Sequence, residues 1–186
     1  MAIQLKKGGR FNLSKKEPGL EKIMVGLGWE QRKGQKLDLD ASVFMVDAHR
    51  KLPKDEYFVF YNNLKSPDGS VQHTGDNRTG AGDGDDEMIL ANLTNIDTDV
   101  QELIFTVSIH DAEIRNHYFG LLQDAYIRIV DVSTKREILR YDLDADMPNA
   151  TDIEFGKLEK QGGEWYFVAT GTGSQKGLQG YVDIYV

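Results

Sequence analysis

Hydrophobic and polar positions alternate along most of this chain with the period of two that puts successive side chains on opposite faces of a strand. Leu39, Ala41, Val43 and Met45 fall on one side, and Asp38, Asp40 and Ser42 on the other. Tyr57 to Tyr61 and Leu103 to Ile109 are apolar runs of strand length, as buried strands show. From Ala125 to Val132, Tyr126, Arg128 and Val130 alternate against Ile127 and Ile129, and Glu137 to Leu143 follows after a turn-like Ser133-Thr134-Lys135. Asp152 to Leu158 and Trp165 to Ala169 flank Gln161-Gly162-Gly163, a hairpin signal. Tyr181 to Val186 alternates once more and reads as a last strand. Asp97 to Glu102 and Glu113 to Leu122 have room for a turn or two of helix.

About eight or nine short strands are expected, rich in β-branched and aromatic residues. They predict an all-β fold: a two-sheet, mostly antiparallel sandwich with short helical turns. No fixed-period repeat and no linker divides the chain, so residues 1–186 are expected to form one domain.

Composition narrows the function. With no Cys among 186 residues, disulfides, zinc–thiolate sites and thiol redox chemistry are excluded. A net charge of −8 argues against nucleic acid, which needs a basic face. No run of about 20 apolar residues predicts a membrane helix. The N-terminus has no apolar run behind its Lys6-Lys7, so a cytoplasmic protein is expected.

One segment breaks the alternation. Residues 75–87 hold five acids, one base and four Gly, a charge of −4, which is half that of the whole chain. Carboxylates this dense repel one another and need a counter-charge. Oxygen donors from Asp, Glu, Asn and main-chain carbonyls are what Ca²⁺ takes, six to eight at a time, and Gly lets the backbone aim its carbonyls. A solvated acidic loop is the plain alternative, but the segment lies between strands rather than at a terminus. An EF-hand register from Asp76 to Glu87 fails, because Arg78, Gly80 and Ala81 stand at its third, fifth and sixth positions. A calcium roll needs tandem copies, and one is present. Asp38 and Asp40 share a strand face, and Asn62 and Asn63 end a strand with neutral oxygens. Asp38, Asp40, Asp76, Asp83, Asp85, Asp86 and Glu87 make seven carboxylates, enough for two ions that share ligands.

The chain resembles the TerD family of bacterial tellurium-resistance and stress-response proteins. The matching stretches are Val25-Gly26-Leu27-Gly28-Trp29, Asp38 to Ser42, Phe58 to Ser70 with His73-Thr74, and Gly75 to Glu87. Ile109 to Glu113, Asn116 to Gly120, Ala125-Tyr126-Ile127-Arg128, Phe155 to Leu158 and Gly163-Glu164-Trp165 continue the match. Residues 177–186 match least. The resemblance implies a sandwich binding two Ca²⁺ through Asp38, Asp40, Asp76, Asn77, Asp83, Asp85, Asp86 and Glu87, with Asn62 as a further candidate. Some members carry Asp at the position of Glu30. It also implies partners among other tellurium-resistance operon products, at the membrane surface.

Chemistry beyond binding finds little support. Tellurite reduction would need a thiol or redox cofactor. Gly171 to Lys176 lacks the third Gly and the βαβ setting of a dinucleotide site, and no Gly-x-Ser-x-Gly elbow exists. The four His are scattered, and Trp29, Trp165 and Tyr166 read as core or sheet-surface residues. The expected role is therefore a calcium-binding sensor or adaptor and not an enzyme. A metal-dependent hydrolase, or a binder of a small anion through bound metal, is the alternative.

Overall fold

The computed structural model describes residues 2–31, 39–76, 85–110, 112–119, 122–143 and 149–186. Among the described residues, thirteen strands form two sheets, the two-sheet arrangement that the alternation predicts with more strands than the eight or nine expected. The first sheet holds β1 (Ile3–Leu5), β3 (Lys22–Gln31), β6 (Val71–Asp76), β7 (Glu87–Asn92), β9 (Leu122–Asp131) and β10 (Glu137–Asp142) in the order β1-β10-β9-β3-β7-β6. The second holds β2 (Arg10–Asn12), β4 (Leu39–Val46), β5 (Phe58–Val59), β8 (Glu102–Ile109), β11 (Asp152–Gln161) and β12 (Glu164–Val168) in the order β2-β12-β11-β8-β4-β5, with β13 (Thr172–Ser174) on β11. Pairing is antiparallel except between β1 and β10.

The inner faces carry the core. Ile23, Val25 and Leu27 of β3 and Ile127 and Ile129 of β9 meet Val43, Met45, Leu103, Phe105, Ile153 and Phe155 of the other sheet, all with no exposed surface. The 161–163 turn is a tight hairpin with Gly162 at φ 58° and Gly163 at φ 80°, the left-handed pair that the turn needs.

Two elements differ from the sequence reading. Of the apolar run at 57–61, only Phe58–Val59 pairs as a strand, preceded by a 3₁₀ turn at Asp55–Tyr57. Residues Gly177–Tyr185 form a helix, α3, where a strand was expected. The same residues carry both periods: Leu178, Tyr181, Val182 and Tyr185 share one helical face. That face lies on the outer side of the second sheet against Phe44, Val46 and Ile104, with the Tyr185 ring 5.2 Å from Phe44. Asp152 ties down its start, accepting from the Gly177 N–H at 2.9 Å and from the Ser174 hydroxyl. The other helices are single turns, α1 (Leu13–Lys16) and α2 (Ala112–Arg115). Asp97 to Glu102 is a turn leading into β8.

Register puts the ends of β3, β6 and β8 and the starts of β4, β7, β9 and β11 at one end of the sandwich. β3 and β6 therefore end, and β4 and β7 begin, at the same end of the sandwich.

Candidate functional site

Three successive acids enter β7 at this end, and they go to three different places. A bend at Asp86 sends Asp85 and Glu87 to opposite faces of the first sheet.

Asp85 lies on the outer face and is 4 % exposed. Arg128 grips it in two-pronged fashion, Nη2 to Oδ2 at 2.6 Å and Nε to Oδ1 at 3.0 Å, and the Tyr126 hydroxyl donates to Oδ1 at 2.7 Å. Such planar, charge-assisted pairs are the strong ones. Burial alone would lower the guanidinium pKa of Arg128, but Asp85 outweighs it and holds it above its ordinary value. Burial and the bond to Asp85 push the Tyr126 phenol up. Space for the cluster comes from two glycines on β3. A Cβ on Gly26 would stand 2.7 Å from the Asp85 carboxyl carbon, and one on Gly28 would stand 2.5 Å from the Tyr126 hydroxyl.

Asp86 closes the β3–β7 ladder. Its N–H donates to the Leu27 carbonyl at 2.8 Å, and its Oδ2 accepts from the Trp29 N–H at 2.8 Å. Glu87 turns inward, 2 % exposed, and reaches the other sheet, where its Oε2 accepts from the Ala41 N–H at 2.6 Å. His73 of β6 packs beside it, with Nε2 3.2 Å from both Oε2 and the Ala41 carbonyl. Burial pushes the Glu87 carboxyl above its ordinary range, partly offset by His73 and the Ala41 N–H, and the neighbouring Asp40 charge pushes the same way as burial.

Asp40 is half-buried on the outer face of β4, one residue from Ala41. The structure thus brings Asp40, Asp86 and Glu87 to one end of the sandwich. The backbone of Asp76 ends β6 opposite Glu87. Asn62 is exposed in the turn after β5. Asp38, Asn77 and Asp83 lie outside the described residues. Among the described residues, no group of three or more His, Asp or Glu converges as a metal site. The oxygens of Asp85, an expected ligand, face the Arg128 guanidinium and the Tyr126 phenol.

Beside Asp40 lies a cleft of about 390 Å³ lined by Asp40, Tyr61, Ser108, His110, Thr151 and Lys176 among others. Among the described residues, no helix is long and apolar enough to cross a membrane.

Sequence reasoning missed the Arg128, Tyr126 and His73 contacts. The available signal was Gly26-x-Gly28, a bare strip on one strand face, together with Tyr126-x-Arg128, a phenol and a cation sharing a face of another strand.

Comparison with known proteins agrees with this architecture. The TerD domain family model matches residues 1–185. The chain belongs to the TerD family. It is 48 % identical over 180 residues to the tellurium resistance protein TerD of an Alcaligenes species, covering 96 % of this chain and 94 % of that one. It is 46 % identical over 181 residues to general stress protein 16U of Bacillus subtilis strain 168, with the same coverage. A solved structure, a homologue of telluride resistance protein (TerD) from Streptomyces coelicolor A3(2), superposes with a TM-score of 0.69 at 20 % identity. It covers 88 % of this chain and 95 % of that chain, a likeness of fold. This TerD-family sandwich therefore belongs with proteins named for tellurium resistance and stress response.

Proposed function

We propose that this TerD-family protein binds Ca²⁺ at the end of the sandwich that holds Asp40, Asp86 and Glu87 and acts as a sensor or adaptor in a stress response. The observation that carries the reading is the orientation of Asp86 and Glu87. Each has one carboxylate oxygen accepting from a backbone N–H, at Trp29 and at Ala41, which orients the carboxylate. Hydrogen bonds of this kind orient metal ligands.

The donor set fits a hard cation: it is all oxygen, and the Asp40 and Glu87 charges disfavour each other without a counter-ion. Asp40, Asp86 and Glu87 would hold two Ca²⁺ with Asp38, Asp76, Asn77 and Asp83. The ions would offset the net charge of −4 on segment 75–87. Glu87, wedged under β4, would pass the ordering of that segment to the second sheet. In this reading the protein works in the cytoplasm, with other tellurium-resistance proteins as partners at the membrane surface.

The test is calorimetric titration of chelator-treated protein with Ca²⁺ and then Mg²⁺. Two Ca²⁺ at micromolar affinity or tighter, roughly the range of sensor sites, and weak Mg²⁺ binding are expected. Asp40→Asn should weaken Ca²⁺ binding and leave the apo fold intact. Wild-type affinity in Asp40→Asn would remove Asp40 from the site, and absence of Ca²⁺ binding would refute the function.

The cleft beside Asp40 favours a second reading, in which bound metal recruits a small anion or a hydrolysable substrate. A Mg²⁺ preference together with turnover of a phosphate ester would support it.

A further inference from the structure

Arg128 is an expensive residue to place where it stands. It is one of the large charged side chains that proteins rarely bury without a partner, and its side chain is 12 % exposed. Its partner, Asp85, is more buried still. Both the Gly26 and the Gly28 positions are stripped of side chain where this pair and Tyr126 pack. The whole cluster surrounds the residue at which the chain re-enters the sheet after segment 77–84. The next two residues are the oriented carboxylates Asp86 and Glu87.

We propose that Arg128 and Tyr126 are positioning residues for the acidic segment, holding Asp85 as its anchor rather than as a metal ligand and so fixing where Asp86 and Glu87 point. The inference rests on the calcium reading for its consequence, and on the Arg128–Asp85–Tyr126 geometry for its cause. A metal site built of like charges must be gathered, and every residue ordered on binding subtracts from affinity. Asp85 pinned to β9, the Asp86 N–H bonded to β3 and Glu87 bonded to β4 order one stem of the segment beforehand. The grip needs the planar fork of Arg, because Lys offers a point charge and cannot hold both carboxylate oxygens in one plane.

The experiment is Ca²⁺ calorimetry on the full chain carrying Arg128→Lys, Asp85→Asn or both, with Ile129→Val on the same strand as a control for general loss of core stability. Arg128→Lys is expected to weaken Ca²⁺ binding about ten- to a hundredfold, the effect of losing an orienting partner, with the number of ions unchanged. Tyr126→Phe, which removes one hydrogen bond and little packing, should move the same way by less. If Asp85 acts through Arg128, the losses of the two single variants do not add in the double variant, because both changes cut the Arg128–Asp85 pair. Wild-type affinity in Arg128→Lys overturns the proposal. So does an Asp85→Asn variant that loses an ion and multiplies the Arg128→Lys loss, which would make Asp85 a ligand. If the wild-type chain binds no Ca²⁺, the metal reading fails separately. Amide exchange at Trp29 and Asp86 in the metal-free protein then decides the anchor: faster in Arg128→Lys than in Ile129→Val sustains it, and equal rates overturn it.

Discussion

Gly28→Ala tests whether the glycines of β3 exist to make room for the Asp85 cluster. Gly28 pairs with Tyr126 across β3 and β9, and both face outward. Its φ is not in the left-handed region, so Ala meets no backbone strain there. The added Cβ would nonetheless lie 2.5 Å from the Tyr126 hydroxyl and inside the contact surface of its ring. The ring cannot yield cheaply, because its hydroxyl is bonded to buried Asp85 and Arg140 stacks 4.0 Å from its centre. Displacing it forfeits a hydrogen bond to a charged group, about 1.5–3 kcal/mol. It also forfeits a cation–π contact of about 0.5–1 kcal/mol. Ala returns about 0.5–1 kcal/mol of backbone entropy. The expected net cost is therefore about 2 kcal/mol, read by urea unfolding of chelator-treated protein with unchanged slope. In a Tyr126→Ala background the same substitution should cost nothing or stabilise slightly, since the obstacle is gone. An equal cost in both backgrounds, or none in the wild type, would refute the steric account.

The start of α3 should show a pH dependence set by Asp152. Burial raises its carboxyl above the ordinary value, against the opposing donors Ser174, Gly177 and Lys176, so the native state holds the proton more tightly than the unfolded chain. Its contribution to stability is thus fully present below about pH 3.8 and is lost as pH rises through the raised value. Asp152→Asn, compared with wild type by urea unfolding across that window, should flatten the dependence; parallel curves would contradict it. Tyr185→Ala removes a ring that is 4 % exposed and packed on Phe44. A loss of about 3–5 kcal/mol is expected, as for large aromatic deletions. It should be confined to α3, with fast amide exchange there and protected strands; uniform loss across the sheets would contradict a separately docked helix.

The sandwich was legible because strand alternation is local: Leu39 to Met45 states its inner face without reference to anything else. The C-terminal helix was not, because Tyr181 to Val186 satisfies period two by coincidence, and six residues cannot separate the two periods. What decides is the apolar floor of Phe44, Val46 and Ile104, contributed from far earlier in the chain. The site divides in the same way. Acid density marks residues 75–87 as unusual, but their individual fates depend on distant partners. Arg128 lies 43 residues from Asp85, and Ala41 lies 46 residues from Glu87. No local pattern states that one acid meets a cation while its second neighbour enters the interior.

That division changes the coordination arithmetic of the calcium reading. If Asp85 serves as the anchor proposed above, the expected carboxylates fall from seven to six: Asp38, Asp40, Asp76, Asp83, Asp86 and Glu87. Two Ca²⁺ sharing nothing would need about twelve to sixteen oxygens. Six carboxylates offer twelve at most, and only if every one binds through both oxygens. Asp86 and Glu87 each already give an oxygen to a backbone N–H. A two-ion site would then share ligands between the ions, keep bound waters, or draw on Asn77, Asn62 and main-chain carbonyls. The backbone route matches the composition of the segment, since Gly82 and Gly84 flank Asp83 and glycine leaves a backbone free to aim its carbonyls. Replacing Gly82 and Gly84 with Ala together should therefore weaken Ca²⁺ binding although no carboxylate is touched, by a loss that calorimetry reads directly. Undiminished binding in that variant would mean that the ions do not depend on these glycines to aim carbonyls, and shared carboxylates or bound waters would then complete the shells.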